Sequence, residues 1–451
     1  MDLRQKLHLE PASGWLNDPN GLCYFAGAYH VYFQYAPRAD GSGGKCWGHW
    51  KSTDLLHWEY TGIVLRPDHP DDRSGVYSGC GFVRGDMLYL FYTGNVKEPG
   101  EHDYITSGRG ANVMLVTTID GHHMSEKRTL LRNADYPGFC SCHVRDPKVW
   151  EEGGRFRMVL GARTLDDRGC VLYYTSDDLE HWAYEKTVYG TDGSYMWECP
   201  DDFTLDGKRF LSVSPQGVPH GKYGFQNVYS SGWFRMNGDT LEDYHEWDCG
   251  FDFYAPQTFI APDGRRILIG WMGIGDIPYT NPTTALGWQH CLTLPRELTL
   301  REDGVILQSP ARELGKLRRC ATKIDGKYAV PVTLPFELWG FPDGDFTMEL
   351  RDVLRLTYQS GEVHLTLSEE AGFGRTERFA KLPECREIRM IADTASAEIY
   401  VNGGEVVFST RYYPPDTALS LSGINGSVYE LNGIEVTSDG YDFSSDRRGA
   451  D

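Results

Sequence analysis

A chain of 451 residues with a formal net charge of −20 is a poor partner for nucleic acid or an anionic membrane surface, since both reward clustered Lys and Arg. It is too long for one ordinary core, and aromatics at 13% with 51 glycines, without long helix-forming runs, point to strands joined by tight turns. No apolar run approaches the roughly 18 residues of a membrane span, the start lacks the apolar centre of a secretory signal, and 11 scattered cysteines fit reduced thiols better than a disulfide framework, so the sequence predicts a cytoplasmic protein.

The first crowded stretch is Trp15-Leu16-Asn17-Asp18-Pro19-Asn20-Gly21. Its proline and glycine make it a rigid turn, and it gathers a carboxylate, two amides and an indole. It also opens a repeat. Five times a small, proline-bearing or polar opening is followed by a glycine-containing hairpin and an apolar strand: from Asp18-Pro19 to 29–35, from Tyr77-Ser78-Gly79 to 87–92, from Arg145-Asp146-Pro147 to 156–160, from Glu198-Cys199-Pro200 to 210–213, and from Ala255-Pro256-Gln257 to 267–271. Copies roughly 50 to 70 residues apart leave room for one four-stranded antiparallel unit each, which predicts an all-β, five-bladed β-propeller. A second echo pairs residues 52–60 with 176–184, and Trp58 and Trp182 in it are expected to fill space between sheets. If each opening begins the innermost strand of its blade, Asp18, Ser78, Asp146, Glu198 and Gln257 line one central channel.

After Leu298 the pattern changes. Residues 292–300 read as a closing strand and 312–319 as a short linking helix. From Tyr328 short strands alternate around turns such as Val401-Asn402-Gly403-Gly404, the signature of a C-terminal β-sandwich. The expected division is a propeller over 1–305, a linker over 306–324, a sandwich over 325–443 and a flexible tail over 444–451.

Two carboxylates facing one pocket suit glycoside hydrolysis, with one as nucleophile and the other as general acid and base. Asp18, on the rigid turn, is the better nucleophile. Glu198, flanked by Trp197, Cys199 and Pro200, has the more apolar setting, which is expected to raise its pKa and keep a proton for the leaving group. Asp146, beside Arg145, is expected to stay ionised and to hold sugar hydroxyls. The alternatives are a structural Arg145–Asp146 ion pair and a Glu198 that merely lines the channel. Cys140, Cys142 and His143 have no second half of a metal site, so no metal and no cofactor are expected.

The stretch 15–21, the triplet Arg145-Asp146-Pro147 and Glu198-Cys199-Pro200-Asp201 resemble the three signature motifs of glycoside hydrolase family 32, which contains invertases, sucrose-6-phosphate hydrolases and fructan β-fructosidases. The likeness extends through Gln34, Cys46-Trp47-Gly48-His49, Tyr77-Ser78-Gly79, residues 252–258, Gly270-Trp271-Met272, 294–298 and 397–404. The resemblance implies Asp18 as nucleophile, Glu198 as acid and base, and Asp146 as transition-state stabiliser. It implies a fructose pocket lined by Asn17, Gln34, Trp47, Tyr77, Ser78, Arg145, Cys199 and Trp271. The implied reaction is retaining hydrolysis of terminal β-linked fructosyl units from sucrose, sucrose 6-phosphate or short fructo-oligosaccharides. The partner is then a small sugar, and a homodimer is one oligomeric state left open.

Three positions depart from the family pattern. Ser42 stands where an aromatic often walls the pocket, Cys80 replaces a small hydroxyl residue, and Trp50 follows His49. All bear on the leaving-group side. Arg38, Lys45 and Lys51 lie near that side and read as solvated surface cations rather than phosphate ligands. Rival readings are a transfructosylase on the same scaffold and a carbohydrate-binding propeller without catalysis.

Overall fold

The computed structural model describes residues 3–191, 193–350, 352–413 and 418–438, with the side chains of 327–331 left aside. The tail expected over 444–451 and the last stretch of the expected sandwich, 439–443, lie outside the described residues.

The N-terminal region is built from antiparallel sheets laid down in chain order, each starting on one of the repeated openings: Gly14–Phe25, Val76–Arg84, Cys140–Glu152, Met196–Leu205 and Tyr254–Ile260. The first hairpin turns on Ala26 and Gly27, both with positive φ, a backbone that matches the twist of the flanking strands. The second strands, such as Ala28–Ala36, are buried almost throughout, because apolar side chains leave both faces toward neighbouring sheets. These opening strands touch in succession, and the fifth touches the first. Apolar clusters fill the gaps between consecutive sheets. The result is a propeller-like arrangement around a channel lined by the openings.

Residues 52–58 and 176–182 form the same turn. Ser52 and Ser176 each accept from the backbone of Leu55 and Leu179 at 2.9 Å, and Trp58 and Trp182 each donate back to the carbonyl of that leucine. Both indoles belong to apolar clusters between sheets.

The C-terminal region is sandwich-like. The long strand Phe336–Leu350 pairs with Ile388–Ala392 through its first half and with Leu354–Gln359 through its second, while Ala418–Leu431 pairs with both halves. A register shift between Pro342 and Thr347 folds the sheet over an apolar core. Two expected boundaries move. Ile306–Pro310 pairs with Arg296–Leu300 and so completes the fifth sheet, while Arg318–Ile324, expected as linker, pairs with Ala418–Leu431. Only a turn of 3-10 helix, Arg312–Leu317, lies between them, burying Leu314 and Leu317.

The two regions are locked by buried charge. His8 bridges Asp393 Oδ2 at 2.7 Å and Glu398 Oε1 at 3.1 Å. Arg296 holds Glu398 Oε2 at 2.7 Å and Asp248 Oδ2 at 3.1 Å. Burial pulls the His8 imidazole down, but its bonds to Asp393 and Glu398 outweigh this and push it up to about 9. Burial also works against Glu398, yet Arg296 and His8 hold it at about 2. A short strand, Glu435–Thr437, returns from the C-terminal region to pair in parallel with the outer strand His57–Leu65 of the first sheet.

Candidate active site

Every opening strand is bulged at the corresponding place. Asn17 and Asp18 stand opposite the single residue Gln34, Tyr77 and Ser78 opposite Thr93, and Asp146 and Pro147 opposite Leu160. Cys199 and Pro200 stand opposite Val213, and Ala255 and Pro256 opposite Gly270. A bulge leaves one residue out of the ladder and re-aims side chains, which explains the prolines: with no N–H to donate, Pro147, Pro200 and Pro256 lose nothing there. Asp146 and Cys199 pay for the turn with φ of 63° and 46°, backbone strain of the kind that clusters at functional sites.

The bulges bring the acids together. Asp18 Oδ1 accepts from Asn17 Nδ2 at 3.1 Å, and Oδ2 accepts a short bond from the Ser78 hydroxyl. The Cys199 thiol lies 3.6 Å from both Asp18 Oδ2 and Asp146 Oδ2, so one sulfur spans the two carboxylates. The Cys199 backbone N–H donates to Asp146 Oδ2 at 2.9 Å, and the Asp146 N–H donates to Thr93 Oγ1 at 2.8 Å. Glu198 Oε1 accepts from Arg145 Nε and Nη2 at 3.0 and 2.7 Å. Its Oε2 accepts from Tyr254 OH and Gln216 Nε2, each at 2.7 Å.

Two expectations fail here. Arg145 was expected to pair with Asp146, but the bulge turns Asp146 away from its neighbour and Arg145 reaches across to Glu198. Glu198 was expected in an apolar setting, but its carboxylate carries four donors from residues distant in sequence. Electrostatics therefore falls on the aspartates. Burial raises Asp146 to about 7 against the pull of Arg145, with Glu198 adding to the rise. Burial also raises Asp18, opposed by its bonds from Ser78 and Asn17.

The expected pocket residues divide. Asn17 links Asp18 to Gln34 Oε1 at 2.7 Å, and Trp15 Nε1 donates to Asn17 Oδ1 at 2.9 Å. The Tyr77 phenol lies beside Arg109 and Arg145. Trp271 packs against Trp15, Tyr254 and His290, and its indole N–H has no acceptor among the described residues. Trp47 has no exposed surface; its indole N–H donates to the Tyr77 carbonyl at 3.1 Å and its backbone pairs with Gln34, so it braces the pocket rather than lining it. Gln257, expected to line the channel, accepts from Lys148 at 3.3 Å.

Sequence reasoning missed Gln216, Tyr254 and Thr93, and the part played by His143. Tyr254 had a signal: it precedes the fifth bulge as Glu198 precedes the fourth and Arg145 the third. His143 Nδ1 accepts from Arg145 Nη1 at 2.7 Å, and burial followed by Arg145 lowers this imidazole to about 3, so the residue weighed as a metal ligand orients the arginine.

Residues 8–310 match the glycosyl hydrolases family 32 N-terminal domain, and residues 357–438 match the family 32 C terminal domain. The chain belongs to glycoside hydrolase family 32. This family 32 chain is 40% identical over 423 residues to a sucrose-6-phosphate hydrolase of Klebsiella pneumoniae, covering 90% of the chain and 88% of the relative. It is 38% identical over 436 residues to the enzyme of that name from Bacillus subtilis (strain 168), covering 91% and 89%. Its fold is similar to the structure of sucrose-6-phosphate hydrolase from Lactobacillus gasseri, with a TM-score of 0.86 at 25% identity over 96% of this chain and 94% of that one. As a family 32 member the chain is a glycoside hydrolase. Among its described residues no helix is long and apolar enough to cross a membrane.

Proposed function

We propose that this family 32 chain is a β-fructofuranosidase that hydrolyses sucrose and sucrose 6-phosphate with retention of configuration. The carrying observation is that Asp18, Asp146 and Glu198, from three separate sheets, come together at or beside equivalent bulges, with the Cys199 thiol between the two aspartates and Arg145, the residue before Asp146, holding Glu198. Asp18 attacks the fructosyl anomeric carbon as the bond to the leaving oxygen breaks, and Glu198 gives that oxygen its proton. In the second half Glu198 takes a proton from water, the water oxygen attacks the same carbon, and Asp18 departs. Asn17 and Ser78 fix which lone pair of Asp18 faces the sugar. Burial and mutual repulsion favour the neutral forms of Asp18 and Asp146, and Arg145, Tyr254 and Gln216 orient the Glu198 carboxyl that serves the leaving oxygen. Asp146 accepts from sugar hydroxyls as positive charge develops on the ring.

The same reading takes the successive sheets as five blades, supported by the closed succession of opening strands and the apolar clusters between them. It takes 1–310 as the catalytic region. Unpaired cysteines support a reducing, cytoplasmic setting.

The test is to give the purified protein sucrose, sucrose 6-phosphate, kestose, inulin and levan in parallel and to measure released fructose. Sucrose and its 6-phosphate are expected to release it, with β-fructofuranose appearing first by NMR. Absence of fructose from every substrate overturns the proposal, and longer fructosides with little free fructose identify a transferase.

A further inference from the structure

Lys45 is a cation drawn into the site without an anion to meet it. It ends the loop that follows the strand Ala28–Ala36, and its ammonium lies 3.2 Å from the neutral Asn17 Oδ1 and 5.0 Å from the centre of the Trp15 ring. Among the described residues it has no carboxylate at ion-pair distance, whereas Lys127 and Lys148, two other largely buried lysines, hold Asp72 at 2.6 Å and Asp201 at 3.2 Å. Lys51 is a surface cation paired with Glu59 at 3.1 Å; Lys45 is not of that kind. Burial lowers it to about 8, with Asp18, Cys46 and Asp40 pulling the other way, so it keeps its charge at neutral pH. A desolvated ammonium costs stability unless something compensates it. A dianionic substrate entering a channel of three carboxyls meets repulsion unless a cation receives it. Arg145 is engaged by Glu198 and does not serve.

We propose that Lys45 receives the phosphate of a phosphorylated sugar substrate and so sets the preference of this enzyme between phosphorylated and neutral fructosides. This rests on the β-fructofuranosidase reading above. Because Lys45 also donates to Asn17, its loss slows both substrates to some degree, and the ratio between them isolates the charge. The experiment measures kcat/KM for sucrose 6-phosphate and for sucrose with the wild type, Lys45→Met and Lys45→Arg. The expected result is a fall in the ratio of tenfold or more in Lys45→Met, with most of it restored in Lys45→Arg. An unchanged ratio in Lys45→Met overturns the proposal. If that variant does not fold, inhibition of the wild type decides: glucose 6-phosphate is expected to bind at least tenfold tighter than glucose and more tightly than inorganic phosphate, and equal inhibition by the two sugars overturns it. Release of fructose from neither substrate by the wild type defeats the enzymatic reading itself, a result distinct from an unchanged ratio.

Discussion

Glu398 and Asp393, between the two regions of the molecule, are as deeply buried as Asp146 in the channel, and burial has opposite outcomes in the two places. Between the regions each acid meets a cation and several N–H donors, and both are held below the usual carboxylate range. In the channel Asp18 and Asp146 receive hydrogen bonds but no direct cation, and both are raised. The contrast separates a structural cluster from a working one: full pairing stabilises the fold, while incomplete pairing leaves charge available for a substrate.

Asp18→Asn is expected to lower fructose release by about 10^4-fold or more, since it removes the nucleophile proposed above, while raising the thermal midpoint by relieving a costly buried charge. A lowered midpoint with intact secondary structure by circular dichroism counts against the unpaired-charge account. Arg296→Met should do the reverse, costing about 3–5 kcal/mol in denaturant unfolding because Glu398 and Asp248 stay buried without their cation, with kcat per folded molecule unchanged. A neutral effect there removes the basis of the contrast.

The pH dependence of stability sharpens the same point with opposite slopes. His8 is raised from 6.5 to about 9, so its contribution is full below pH 6.5 and is lost as pH rises to 9, an effect of about 3 kcal/mol. Glu398, held at about 2, stabilises above its unfolded value near 4.5 and loses that contribution as pH falls toward 2. Asp146, raised to about 7, instead costs stability as pH rises from about 4 through 7. Urea titrations across pH should show the alkaline loss flattened in His8→Gln, and the decline in stability between about pH 4 and 7 removed in Asp146→Asn. The smallest expected effect is that of Ser78→Ala. Loss of one hydrogen bond to the charged form of Asp18 should lift the acid limb of kcat/KM by about one pH unit and cost about tenfold; an unmoved limb means that the hydroxyl does not tune Asp18.

The channel was legible in the sequence because a bulge leaves a local trace. Proline after a polar or small residue, before a hairpin and an apolar strand, recurs at four of the five bulged strands, with Ser78-Gly79 in its place on the other, and it located Asp18, Asp146 and Glu198 as openings. Their offset was not legible. Asp18 is the second bulged residue of its strand, Asp146 the first, and Glu198 precedes its bulge, so the neighbours in sequence, Arg145 and Asp146, end with different partners. Partners such as Tyr254 and Gln216 depend on how sheets face each other, which no local pattern records. The cluster of His8, Arg296, Asp393 and Glu398 was invisible for the same reason: His8, Arg296 and the pair Asp393 and Glu398 come from three distant stretches of the chain, and each looks like an ordinary surface charge.

The outer strand His57–Leu65 gains its last neighbour only from Glu435–Thr437, and Gly14–Trp15 are flanked by Trp288–Gln289. A ribosome therefore releases the first sheet long before either partner exists. Throughout that interval its rims expose free backbone donors and acceptors to other nascent chains on the same messenger. Residues much further along the chain close it, so the first sheet, which carries Asp18, is among the last parts of the channel to be sealed.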